Sequence, residues 1–145
     1  MKKSLSIILA VILLIAPMCI EAYASDGEAN YDDLIMPCYD YISSISAGIT
    51  EGVLGFATCF SNCTSFQADK TFVLTCTMQR TDGSDAWQAY KTTTETFSGK
   101  GNFTIEKKWF APANYAYRVL TTVVVKNSAG TTVETATRSS GVLYK

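Results

Sequence analysis

The stretch "ANYAYRVLTTVVV", residues 113–125, decides the fold. Pro112 punctuates the chain just before it, and two tyrosines two apart then run into β-branched residues. Such residues suit a strand with packed neighbours on both sides. A period of two puts Tyr115, Tyr117, Val119, Thr121, Val123 and Val125 on one face. Ala116, Arg118, Leu120, Thr122 and Val124 take the other. A tyrosine entering a late strand of a β-sandwich fills the end of the core with its ring. Its hydroxyl returns a hydrogen bond to the backbone of the preceding connection. This assigns Tyr117 as a structural corner, with Tyr115 beside the incoming loop.

Working outward, the same period recurs between turn signals. "KTFVLTCTMQR" (70–80) sets Phe72, Leu74, Cys76 and Met78 against Thr71, Thr75 and Thr77. "TDGSD" (81–85) carries an Asp-Gly hairpin signal and leads into "AWQAYKTTTETF" (86–97). "NFTIEKKWF" (102–110) follows a glycine turn, and "NSAG" (127–130) turns the chain into "TTVETATRSS" (131–140). Upstream, "YDYISSIS" (39–46) ends near Gly48, and "GVLGFATCFSNC" (52–63) reads as an edge-to-core strand. Seven strands and no amphipathic helix to cross over a parallel sheet predict an all-β, antiparallel, Ig-like or fibronectin type III-like sandwich over 39–145.

Before that domain, "MKKSLSIILAVILLIAPMCIEAYAS" has the parts of a signal peptide. Lys2 and Lys3 form the charged start, Ile7 to Ile15 the apolar run, and Ala22-Tyr23-Ala24 the cleavage site. The run stops at Pro17, short of the ~20 residues of a membrane span. Residues around Cys19 suit a lipoprotein site poorly. Cleavage after Ala24 predicts a secreted protein with an acidic leader at 25–38. Residues 25–69 hold seven acids and no base, whereas 70–145 hold ten Lys/Arg against five acids. The two halves largely cancel, which gives no support for nucleic-acid binding.

Four cysteines follow the cleavage site: Cys38, Cys59, Cys63 and Cys76. An even count in an exported chain predicts disulfides. If 57–65 and 71–79 form a hairpin, Cys76 lies near Cys59 and Cys63, favouring a bond to one of them with Cys38 taking the other. Their spacing fits no common zinc finger, and no metal or cofactor is expected.

The run "NYAYRV…KNSAG" resembles the end of a fibronectin type III module. Over residues 50–140, "GFATC", "TMQRTDGSDAW", "KKWFAPANYAYRV" and "SAGTTVETATRSS" resemble, in order and spacing, a family of small secreted Gram-positive bacterial proteins of unknown function. The resemblance implies export and a β-sandwich, and brings no catalytic residues.

Histidine is absent from the chain. Its absence removes Ser-His-Asp and Cys-His sites and the ordinary zinc hydrolases. Paired carboxylates, as in a carbohydrate-active hydrolase, are the remaining route. Asp82 and Asp85 fall in a turn, Asp32 and Asp33 in the leader, and Glu95, Glu106 and Glu134 on solvated strand faces. None forms a framed pair, so no enzyme is expected. A threonine-rich hairpin at 86–110 has the look of a membrane-inserting one, but Lys107 and Lys108 argue against insertion. The reading that remains is a non-catalytic binding or adhesion module for a surface glycan or protein ligand. The alternative is an assembly subunit pairing through the 131–140 edge. Candidate ligand residues are Trp87, Tyr90 and Trp109. The two tryptophans are expected in the core, leaving Tyr90 with Thr92 and Thr94 as the exposed patch.

Overall fold

The computed structural model describes residues 38–84 and 86–145. The expected signal peptide and cleavage site, the expected leader up to residue 37, and Asp85 lie outside the described residues. The strands are β1 (Ser44–Glu51), β2 (Phe56–Ser65), β3 (Thr71–Thr81), β4 (Gln88–Ser98), β5 (Gly101–Phe110), β6 (Ala116–Lys126), β7 (Thr132–Ser139) and the two-residue β8 (Leu143–Tyr144). Among the described residues the only helical element is a single 3-10 turn, Val53–Gly55. No described helix is long and apolar enough to cross a membrane.

The strands form two antiparallel sheets, in the order β1–β2–β5 and β4–β3–β6–β7, with β8 alongside the start of β6. Alternation drives the packing of the sheets into a sandwich. Every second residue of β2 and β6, and of β3 as far as Met78, is buried, and Phe72, Leu74, Met78, Ile105, Val119 and Val123 meet in the core. Burying one such side chain contributes about 1.5–3 kcal/mol.

Several sequence expectations are corrected. The first strand begins at Ser44 and runs through Gly48 to Glu51. Gly48 pairs with Phe60, whose ring would lie 3.6 Å from a Cβ at that position, so the glycine leaves room for a ring where a turn was expected. The short β8 escaped notice because two residues carry no period.

The third correction concerns the cysteines. Segments 57–65 and 71–79 do not form a hairpin, since β2 and β3 belong to different sheets, although Cys59 and Cys76 still come close enough across the core for their charges to interact. No disulfide joins Cys38, Cys59, Cys63 or Cys76. Cys38 is exposed, while the other three thiols are core residues. Burial pushes Cys59 up to about 12 and Cys63 up to about 11, and raises Cys76 as well.

Two polar features tie the layers together. In the core, the Ser61 and Thr121 hydroxyls meet at 2.6 Å, and Thr121 donates to the Ser46 carbonyl at 3.1 Å. At the edge, Glu134 faces inward where a solvated carboxylate was expected. Its Oε2 accepts the backbone N–H of Asp40 at 3.0 Å and of Tyr41 at 2.9 Å, and its Oε1 is buried without a hydrogen-bond partner. Glu95 also departs from the expected solvated face. It is half-buried and ion-paired at 3.3 Å to Lys107 on the facing sheet.

Candidate functional site

The chemistry-bearing side chains gather at one end of the five-stranded sheet, where β3 gives way to β4 and β6 begins. The β3–β4 turn is built locally. Asp82 Oδ1 accepts the Ser84 N–H at 3.2 Å and its hydroxyl at 2.8 Å, while Gly83 takes φ 100°. Those bonds, the Ser84 hydroxyl first, hold the Asp82 carboxyl below its usual range.

Immediately after the turn the register slips. Met78 pairs with Lys91 but Gln79 pairs with Ala89, leaving Tyr90 as the extra residue of a β-bulge. A bulge reverses the facing of one residue. Tyr90 therefore packs against the core while Thr92 and Thr94 stay exposed. The expected exposed patch of Tyr90, Thr92 and Thr94 does not form. Trp87 is not in the core either. It is half-buried, with the Arg118 guanidinium carbon 4.4 Å from its ring centre. Arg118 Nε donates to Gln79 Oε1 at 2.8 Å, across the β3–β6 register. Trp109 is half-buried against the core from β5 and belongs to the other sheet. The structure thus places Trp87 and Tyr90 at one end of β4 and Trp109 in the opposite layer.

Beside Tyr90 the structure adds residues that the sequence did not single out. The Arg80 guanidinium lies 4.4 Å from the Tyr90 ring centre and 4.6 Å from that of Tyr115. Both rings stand 6.2 Å from Tyr117. Tyr117 is fully buried, donates to the Pro112 carbonyl at 2.7 Å, and has its phenol pushed up by burial. The paired tyrosines thus divide their work: Tyr117 closes the corner and Tyr115 faces the arginine. A small cleft of about 90 Å³ opens here, lined by Arg80, Thr81, Asp82, Ala86, Gln88 and Tyr115.

Among the described residues neither Arg80 nor Arg118 forms an ion pair with a carboxylate. Each guanidinium lies over an aromatic face, and a guanidinium carries five N–H donors, more than the bond to Gln79 takes up at Arg118 and the bond to Tyr117 at Arg80. Such a surface combines ring faces for stacking with fixed donors, the elements that orient a polar ligand. The pairing of Arg118 with Trp87 and of Arg80 with two tyrosines depends on strand register and a bulge, which no local pattern encodes.

The chain matches no known protein family and no curated protein.

Proposed function

We propose that this is an exported, non-catalytic sandwich of the Ig-like or fibronectin type III-like kind that binds a surface glycan through the Trp87–Arg118 end of its five-stranded sheet. The fold reading is supported by the three-plus-four arrangement of the main strands. Central pairs β2–β5 and β3–β6 join non-consecutive strands in the Greek-key manner. Export rests on the residue 1–24 pattern and on the resemblance to small secreted Gram-positive proteins.

One observation carries the binding reading: at one end of one sheet Arg80 lies over the Tyr90 and Tyr115 rings and Arg118 over the Trp87 ring, neither with a carboxylate partner among the described residues. Ring faces stack on the apolar faces of sugars, and guanidinium donors bond hydroxyl and carboxylate oxygens. The test is binding of the purified protein to a glycan array that includes peptidoglycan fragments. Saturable binding to a defined sugar class, lost on Trp87→Ala, is the expected result. A negative array, or binding untouched by Trp87→Ala and Arg118→Gln, refutes it.

A second reading is supported by β7. The Ser140 N–H bonds the Val119 carbonyl. Counting back along an antiparallel ladder, the N–H groups of Thr135 and Thr137 then point away from β6 to an edge that is unpaired among the described residues. A partner strand can pair there. Association abolished by Thr135→Pro, which removes one of those donors, is its signature.

A further inference from the structure

Resting on that glycan reading, we propose that the ligand is an acidic saccharide whose anionic group, a carboxylate or a phosphate, seats in the cleft beside Arg80. Arg80 is half-buried near the end of β3, two residues beyond Met78 and on the same, core-facing side of the strand. A charge drawn partly out of water is ordinarily matched by an opposite one. The groups that hold Arg80 are neutral instead. Its guanidinium lies 4.4 Å from the Tyr90 ring centre and 4.6 Å from that of Tyr115, and it hydrogen-bonds the Tyr117 phenol. Donors remain over, in a planar fork that fits carboxylate and phosphate oxygens two at a time.

The cleft sets the size of what can enter. Its volume is about 90 Å³, well short of the ~300–1,000 Å³ of a pocket that encloses a whole small molecule. It therefore admits a substituent and leaves the sugar ring outside. Ala86 and Gln88 line it and flank Trp87 in the chain, so its wall adjoins the position proposed for stacking. Asp82 is the one acid on its lining. That carboxylate turns Oδ1 to the Ser84 N–H and hydroxyl, at 3.2 and 2.8 Å. Asp82 is also exposed, so water and salt screen it, whereas the half-buried Arg80 keeps more of its field.

The surroundings carry the same sign as Arg80. Lys91 Nζ stands 5.3 Å from the centre of the same Tyr90 ring. Arg118 follows one register position away, pairing with Gln79 where Arg80 pairs with Tyr117. Among the described residues no carboxylate forms an ion pair with Arg80, Lys91 or Arg118. Three cations against Asp82 give this end a positive field, in a chain whose formal net charge is −1. A neutral glycan would use the rings and leave that field unused. An acidic one uses both.

The test is calorimetric titration of the purified protein with short oligomers of glucose, galactose and N-acetylglucosamine. Each is supplied in neutral, carboxylated, methyl-esterified and phosphorylated form. The methyl ester restores neutrality on the same ring, so this arm needs no variant. The expected result is that an acidic form binds about tenfold or more tighter than its neutral and esterified counterparts. The advantage shrinks as salt is raised. Whichever of the carboxylated and phosphorylated forms binds tighter identifies the group. Arg80→Gln removes the advantage, and Arg80→Lys, which keeps the charge but loses the fork, retains part of it. Neutral and acidic forms that bind alike, both lost on Trp87→Ala, leave the glycan reading standing and overturn the acidic one. An acid preference undiminished in Arg80→Gln overturns it as well. So does inorganic phosphate that binds as tightly as the sugar acid, since the ring then contributes nothing. Binding by no form overturns both readings.

Discussion

Thr121→Val is the sharpest probe of how the two sheets are joined. Thr121 is fully buried in the middle of β6. Its single proton goes to the Ser46 carbonyl at 3.1 Å, so Ser61 is the donor in the 2.6 Å contact between the two hydroxyls. The chain Ser61 O–H to Thr121 O–H to Ser46 C=O therefore links β2, β6 and β1 across the core. Valine keeps the shape of threonine and replaces the hydroxyl with a methyl group that neither donates nor accepts. It leaves the Ser46 carbonyl without Thr121 and Ser61 without its acceptor. Orphaning a buried polar group such as the Ser61 hydroxyl costs about 1–3 kcal/mol, whereas the carbonyl of the exposed Ser46 loses only an ordinary hydrogen bond of about 0.5–1.5 kcal/mol. Ser61 retains Cys76 as a neighbour within hydrogen-bonding reach, which softens its loss. The expected cost is about 2 kcal/mol, a fall of roughly 10 °C in melting temperature for a domain of this size. Ser61→Ala in the Thr121→Val background removes the stranded donor. The double variant should then fall short of the summed single effects by about 1 kcal/mol. Urea unfolding of the four proteins measures the cycle. A Thr121→Val effect below about 0.5 kcal/mol, or singles that add without interaction, refutes the hydrogen-bond chain.

Three further outcomes follow from the geometry. Tyr117→Phe leaves the Pro112 carbonyl without its donor and lowers stability by about 1–2 kcal/mol with an unchanged denaturant slope, as read by urea titration. Folded-state thiol values lie above the ordinary 9.0, at about 12 for Cys59 and about 11 for Cys63. Their contribution is therefore complete below pH ~9 and lost as pH rises from there towards the folded values. Melting temperature should be flat near neutrality and fall on the alkaline side, and a profile flat to pH ~11 contradicts the buried thiols. Glu134→Ala frees the Asp40 and Tyr41 amides, so hydrogen exchange at those two positions should accelerate about tenfold or more while the centre of β3 stays protected.

Strand content was legible because alternation is a local signal. β3, β5 and β6 fall within one residue or so of where the period of two places them, since their apolar residues recur without interruption. Tyr117 was singled out for the same reason: its position relative to Pro112 and the β-branched run is written in consecutive letters. Gly48 misled because a glycine in a strand and a glycine in a turn look alike until the partner strand supplies Phe60. The candidate ligand residues fared unevenly. Trp87 and Tyr90 have opposite parity in the sequence, but which of them faces the core depended on a bulge opposite Met78 and Gln79. Arg80 and Arg118 carried no signal at all, because their aromatic partners come from other strands.

The sequence by itself determined an antiparallel all-β chain, the corner tyrosine and most strand limits, because each depends on residues a few positions apart. Only the tertiary structure decided which strand pairs with which. That choice separates β2 from β3, keeps Cys59, Cys63 and Cys76 as buried thiols, turns Glu134 inward and sets two arginines on aromatic rings. The physical reason is that a side-chain period fixes a face, whereas a partner is fixed by the joint burial of all the faces. That is a property of the whole chain and of no stretch within it.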